Sequence, residues 1–280
     1  MQTKAFFQSF AAILLWSFLA YLAIRLSKIP PFLLVGLALS IGSLCSIHKI
    51  YLWRVSIPIL ALGIYGFFGF HFCLFMALRH APPVEANLIN YLWPLLIIVL
   101  TPLFLPKYHL TVRHLVAAAL GFFGTALIVT GGTINLHFEY LTGYLFAGIS
   151  AFIWASYSLL TKRVSPFCNE AIGFFCLSAG VLSLAIHFFI EDSYSISLDE
   201  LWILLILGLG PMGAAFFFWD AALKNGDPRV IGSLAYLTPL LSTAVLISTG
   251  SGRFTLLSAI AMVLIVGGAI IGTVSSKFTQ

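Results

Sequence analysis

Ten runs of roughly 20 apolar residues follow one another through the 280-residue chain, near 6–24, 31–47, 56–78, 83–104, 112–131, 140–161, 170–190, 200–223, 229–249 and 254–274. A helix of about 20 apolar residues crosses the hydrocarbon layer of a bilayer. Lipid offers no hydrogen bonds, so a chain inside it must pair its own backbone, and helices do this within one segment. The runs therefore predict ten transmembrane helices. The gaps between them are too short for a soluble domain, so residues 1–280 read as a single transmembrane domain. Composition agrees: 61% of residues are hydrophobic and only 8% are charged, against about 25% charged in a soluble domain. The net charge of +5 comes from isolated Lys and Arg between apolar runs. No basic stripe is present, which excludes nucleic acid as a partner and leaves membrane lipids. Cys45, Cys73, Cys168 and Cys176 lack metal-ligand spacing and read as small buried hydrophobes. No metal or cofactor is expected. No signal-peptide cleavage pattern follows Lys4, so the first run is expected to remain as helix one.

Positive charge fixes the expected orientation. With ten spans the termini share a side. That side carries Lys4, Lys49, Arg54, Lys107, Arg113, Lys162, Arg163, Lys224, Arg229 and Lys277; the other carries Arg25, Lys28, Arg79 and Arg253. Both termini are therefore expected in the cytoplasm.

The chain also repeats itself. ALRHAPPVEANLINYLWPLL begins at Ala77 and ALKNGDPRVIGSLAYLTPLL at Ala222, with eight of 20 positions identical at an offset of 145. Pro83 meets Pro228, Tyr91 meets Tyr236, Pro94 meets Pro239, and Gly63 meets Gly208. Trp16 meets Trp154 and Arg25 meets Arg163 at an offset of 138. Paired Pro and Gly fix local backbone geometry, so shared hydrophobicity does not explain their register. The repeats run over about 1–135 and 136–280. Each holds five spans, so the second must enter the membrane inverted. Inverted repeats recur in secondary transporters, with the substrate site near the midplane between the halves.

The repeat, the ten spans and NYLWP at 90–94 resemble the drug/metabolite transporter superfamily, and within it the bacterial aromatic amino acid exporters. The resemblance covers essentially the whole chain. It implies a basket-like bundle in which helices 1, 3, 4 and 6 through 9 surround a central cavity while 5 and 10 stand outside. It also implies outward movement of amino acids or other small metabolites across a bacterial inner membrane.

Helix four offers the clearest site candidates. Asn87, Asn90, Tyr91 and Pro94 share one face, with Trp93 beside it. Amides facing lipid would be unpaired, so this stripe faces protein or water. It either lines a cavity, the amides meeting polar substrate groups and the rings its side chain, or bonds neighbouring helices. Pro94 and Pro239 read as mid-helix kinks and hinge candidates. His71 sits in an apolar run beside Phe75, as cavity residue or satisfied core histidine. Trp16, Trp154 and Tyr236 complete the cavity set. Trp219 reads as an interfacial anchor. Glu85, with Arg79 as expected partner, and Asp220 are the candidates for proton coupling. The expected protein is a monomeric secondary transporter of small molecules, most simply an exporter of aromatic or hydrophobic amino acids by alternating access. Export of another small metabolite or drug, and a lipid-handling protein without solute transport, are the alternatives. No paired intramembrane Asp, HExxH or Ser/His spacing points to an enzyme.

Overall fold

The computed structural model describes residues 2–134, 136–164 and 166–275; Lys277 lies outside them. Among the described residues ten helices are long and apolar enough to cross a membrane: Thr3–Arg25, Pro31–Trp53, Ile57–His80, Pro83–Phe104, Val112–Thr130, Phe138–Arg163, Asn169–Ile190, Leu198–Asn225, Pro228–Ser248 and Leu256–Val274, here spans 1 to 10. The chain is an all-helical, multi-pass membrane protein. Several spans start where the sequence supplies a start. Pro31, Pro83 and Pro228 occupy the first turn, where the missing N–H has no helical partner to lose. Ser197 and Glu200 form a reciprocal capping box at span 8.

Spans 3, 4, 8 and 9 are interrupted in matching pairs; span 1 also breaks, between Trp16 and Leu19, with no counterpart in span 6. A π segment covers Tyr65–Gly69 in span 3 and another covers Gly210–Ala214 in span 8. Span 4 divides into Pro83–Asn90 and Trp93–Phe104; span 9 divides into Pro228–Ala235 and Leu237–Ser248. Both pairs stand 145 residues apart, the register of the sequence repeat. Pro94 and Pro239 are not mid-helix kinks. The turns come just before them, at Tyr91 and Tyr236, and each proline sits in the opening turn of the next helix, where it costs no hydrogen bond.

Spans 5 and 10 pack antiparallel. Gly124 faces Ala261, Leu264 and Ile265, while Gly268 faces Ala117 and Gly121. Spans 2 and 7 do the same, with Gly36 against Leu184, Gly180 against Ser40, and Gly173 against Ser46 and Trp53. Without a Cβ at these positions the helices approach to backbone contact, the form of packing available where lipid is as apolar as the side chains.

The 2/7 pair is clamped at both ends. At one end Lys49 Nζ lies 2.8 Å from Glu170 Oε1, and Ser46 Oγ donates to the Glu170 carbonyl at 2.9 Å. At the other, the carboxylate of Glu191 caps span 2 by accepting from the Phe32 and Leu33 amides at 3.1 and 3.2 Å. The same carboxylate meets Arg79 at 3.2 Å and His187 at 3.0 Å. Arg79 thus takes Glu191, 112 residues away, rather than the expected Glu85. Glu191→Ala should cost about 1–2 kcal/mol, mostly through the lost cap, since the exposed Arg79 contributes little. Thermal unfolding in detergent checks this; an unchanged midpoint would show the cap to be idle. Cys176 is buried as expected, but Cys168 is exposed in the loop before span 7.

Candidate functional site

A cavity of about 340 Å³ opens between the helices. Its upper wall comes from Leu19, Ala20 and Ala23 of span 1, Leu74 and Phe75 of span 3, and Asn87 of span 4. Ala23 and Asn87 are exposed and mark the mouth. These residues lie toward the ends of their spans away from the chain termini, so the cavity opens on that side.

The floor is aromatic. Trp16, Trp93, Trp154 and Phe216 line it from four spans. Trp16 meets Trp93 at 6.3 Å, Trp154 at 6.1 Å and Phe216 at 6.0 Å between centroids, largely edge to face. Trp219 lies behind, 5.2 Å from Trp16 and 5.5 Å from Trp93. It is 1% exposed and donates to Ser158 Oγ at 3.1 Å, so it supports the floor from behind and is not an interfacial anchor. The Trp16 indole donates to the Pro211 carbonyl at 3.1 Å. That carbonyl lies in the π segment, where the helix leaves backbone groups free for such bonds.

Polar groups are few and neutral. Asn87, Asn90, Tyr91, His71 and Thr238 line the cavity. Ser150 Oγ of span 6 lies 2.9 Å from the Asn90 amide and 2.7 Å from the Ala147 carbonyl; its single hydrogen serves one of them at a time, so the Asn90 amide has both its NH2 and its oxygen to offer between Ser150 and a guest. The His71 Nδ1 lies 2.6 Å from the Phe67 carbonyl. A carbonyl only accepts, so Nδ1 carries the hydrogen and Nε2 of the neutral ring is an acceptor. A guest therefore meets amide groups, an imidazole acceptor and ring faces. Ser150→Ala would free the Asn90 amide to rotate, and should raise the half-saturating concentration of a transported solute about 3- to 10-fold. A concentration series in liposomes reads this directly; an unchanged value would mean the amide is held by other contacts.

Of the nine residues expected at the cavity, eight line it: Trp16, His71, Phe75, Asn87, Asn90, Tyr91, Trp93 and Trp154. Tyr236 does not. It is fully buried, its ring filling the space left by Gly121 of span 5. Phe70, Met212, Phe216 and Thr238 were not expected there. Thr238 had a signal, standing 145 residues after Trp93. Span 2 lines the wall through Leu34, Val35 and Ala38, whereas span 7 contributes no lining residue, contrary to the basket arrangement expected. Glu85 lies outside the lining and accepts a short hydrogen bond from the Tyr144 hydroxyl. Asp220 is 2% exposed and paired with Lys224 at 2.7 Å. It is more deeply enclosed than its place near the end of span 8 suggested.

The EamA-like transporter family matches residues 3–130 and again residues 141–274. This chain belongs to the EamA-like transporter family. An EamA-like relative, the aromatic amino acid exporter YddG of Ancylobacter novellus, is 39% identical over 277 residues, 96% of each chain. YddG of Escherichia coli K12 is 28% identical over 263 residues, covering 86% of this chain and 87% of the relative. A solved crystal structure superimposes on this EamA-like chain with a TM-score of 0.95 at 38% identity, covering 99% of both chains. The family match falls once on each half, with a boundary close to that of the sequence repeat.

Proposed function

We propose that the chain is a secondary transporter that exports aromatic amino acids from the bacterial cytoplasm. The observation that carries the reading is the cavity itself: a 340 Å³ chamber open at one end and walled by Trp and Phe, holding amide groups and an imidazole acceptor. It is large enough for an aromatic amino acid, whose ring stacks on the floor while its polar end meets the dipoles. The names of the 39% and 28% identical relatives point the same way.

Repeat one (about 1–135) and repeat two (136–280) are inverted copies in this proposal. The doubled family match, the 145-residue register of the interruptions and the antiparallel pairing of spans 2 with 7 and 5 with 10 support it. Two such halves have two near-equivalent arrangements, one open to each side. The bias of Lys and Arg puts the termini in the cytoplasm of a cell with this protein in its inner membrane. The described cavity then faces outward. A monomer suffices, because the whole cavity forms within one chain. Glu85 and Asp220 remain the acids available to coupling.

Counterflow in proteoliposomes tests the reading. Vesicles preloaded with unlabelled tryptophan should accumulate labelled tryptophan, phenylalanine and tyrosine well above protein-free vesicles. Accumulation at the protein-free level for all three would reject the substrate class.

A further inference from the structure

We infer that Asp220 and Lys224 form a zwitterion-binding subsite in the opposite-facing cavity, the one open to the side of the chain termini. The inference rests on the inverted-repeat transport reading above and adds residues to it.

The two halves exchange roles when an inverted-repeat transporter turns over. A residue that lines the present cavity then hands its place to its counterpart in the other repeat. The register of spans 3 and 8 is fixed by their π segments, Tyr65–Gly69 and Gly210–Ala214. At that register Phe70, His71, Leu74 and Phe75, all lining the cavity, correspond to Ala215, Phe216, Trp219 and Asp220. For spans 1 and 6 the pairs Trp16 with Trp154 and Arg25 with Arg163 set the offset. Leu19, Ala20 and Ala23 then correspond to Tyr157, Ser158 and Thr161. The counterpart cavity therefore holds Tyr157, Ser158, Thr161, Trp219 and Asp220. Span 7, absent from the present wall, takes the place of span 2.

All five residues are now buried, at 4% exposure or less. The Tyr157 hydroxyl and Asp220 Oδ1 have no hydrogen-bond partner among the described residues. Buried polar atoms are costly to leave unpaired, and a cavity that opens between spans 6 and 8 would wet both. A latch holds that region shut. Lys162 at the end of span 6 donates to the Leu223 carbonyl at 2.8 Å and to the Gly226 carbonyl, joining span 6 to the end of span 8. Lys224 donates to the Phe167 carbonyl at 3.1 Å and lies 3.5 Å from the centre of the Phe167 ring.

The exchange is unequal in charge. Phe75 gives way to Asp220, so a cavity without formal charge gives way to one with a carboxylate; Lys224, the counterpart of Arg79 just beyond the present lining, sets an ammonium at its mouth. An α-amino acid carries the same two groups on one carbon. It can open the 2.7 Å Asp220–Lys224 pair, setting its ammonium on Asp220 and its carboxylate on Lys224. One ion pair becomes two, with no net charge buried. The ligand class is thus a free α-amino acid, bound more tightly from the terminus side than from the other.

The test uses full-length protein in sided proteoliposomes with tryptophan as probe. Asp220→Asn should raise the half-saturating concentration on the terminus face about tenfold and leave the value on the opposite face within about twofold. Ser158→Cys and Thr161→Cys, in a background with the four native cysteines replaced, should react with a membrane-impermeant thiol reagent from the terminus face, and tryptophan should protect them. The labelling arm needs no fold-sensitive change at Asp220. Wild-type tryptophan transport with both cysteines unreactive from that face, or with an equal rise on both faces in Asp220→Asn, would overturn the inference and leave the transport reading standing. Reactive cysteines in a protein that moves no tryptophan would overturn the substrate reading, and the zwitterion subsite with it.

Discussion

Trp93→Ala is expected to lower aromatic amino acid transport at least about tenfold, because the floor of the cavity is a set of mutually supporting rings. Trp93 is 7% exposed, yet it lines the cavity and sits between Trp16 and Trp219. Its removal takes away a stacking face for the guest and loosens the two neighbours that position the rest. Truncating a buried Trp costs about 3–5 kcal/mol in a packed core, so folding must be read separately. Size-exclusion profile and thermal midpoint in detergent serve for that. Trp93→Phe keeps a ring and should retain much of the activity. Wild-type rates in a well-folded Trp93→Ala protein would remove the aromatic floor from the mechanism.

The second large effect is on folding. Gly42→Leu should abolish accumulation of folded protein. A Cβ at Gly42 would run into the Met212 carbonyl, the Gly213 Cα and the Gly208 carbonyl, all main-chain atoms of span 8. A flexible side chain could swing aside, but these atoms can move only if spans 2 and 8 separate. Overpacking of this kind costs ~3 kcal/mol or more. Gly148→Leu is the control, since nothing lies within 4 Å of its Cβ position. Membrane yield and thermal midpoint compare the two. Equal yields would mean that the contact between spans 2 and 8 is not needed for the fold.

The spans were legible because a bilayer allows few alternatives. Each run had to be helical to span, and all ten expected runs correspond to helices of the structure with ends within three residues, except that the second, expected to end at 47, continues to Trp53. Helix four was legible for a similar reason: Asn87 and Asn90 could not face lipid, and the one face they share carries Tyr91 as well. Tyr236 misled because the repeat conserves its place in the chain but not its surroundings. Tyr91 meets the open half, whereas Tyr236 meets Gly121 in the closed half. Local spacing cannot say which of two matched halves is open. Arg79 misled for another reason. Glu85 is near in sequence, but Glu191 is aimed at it by the span 2 cap, a contact that only tertiary packing creates. The π segments left a faint trace in GIYGFFG and GLGPMGA, whose leading glycines, Gly63 and Gly208, coincide at the repeat register. Small residues alone do not announce an extra residue per turn.

Spans 5 and 10 differ from the others in a way that concerns the surrounding lipid. Each has only 19 residues, about 28 Å of helix, whereas span 8 has 28 residues, about 42 Å. The long span can lean or project into the headgroups. The short pair, locked backbone to backbone, has no such freedom and must match the local thickness of the hydrocarbon. This pair therefore acts as the molecule's gauge of bilayer depth: acyl chains much longer than its reach must compress around it, and that strain bears on the interface where spans 5 and 10 meet the turning points of spans 4 and 9.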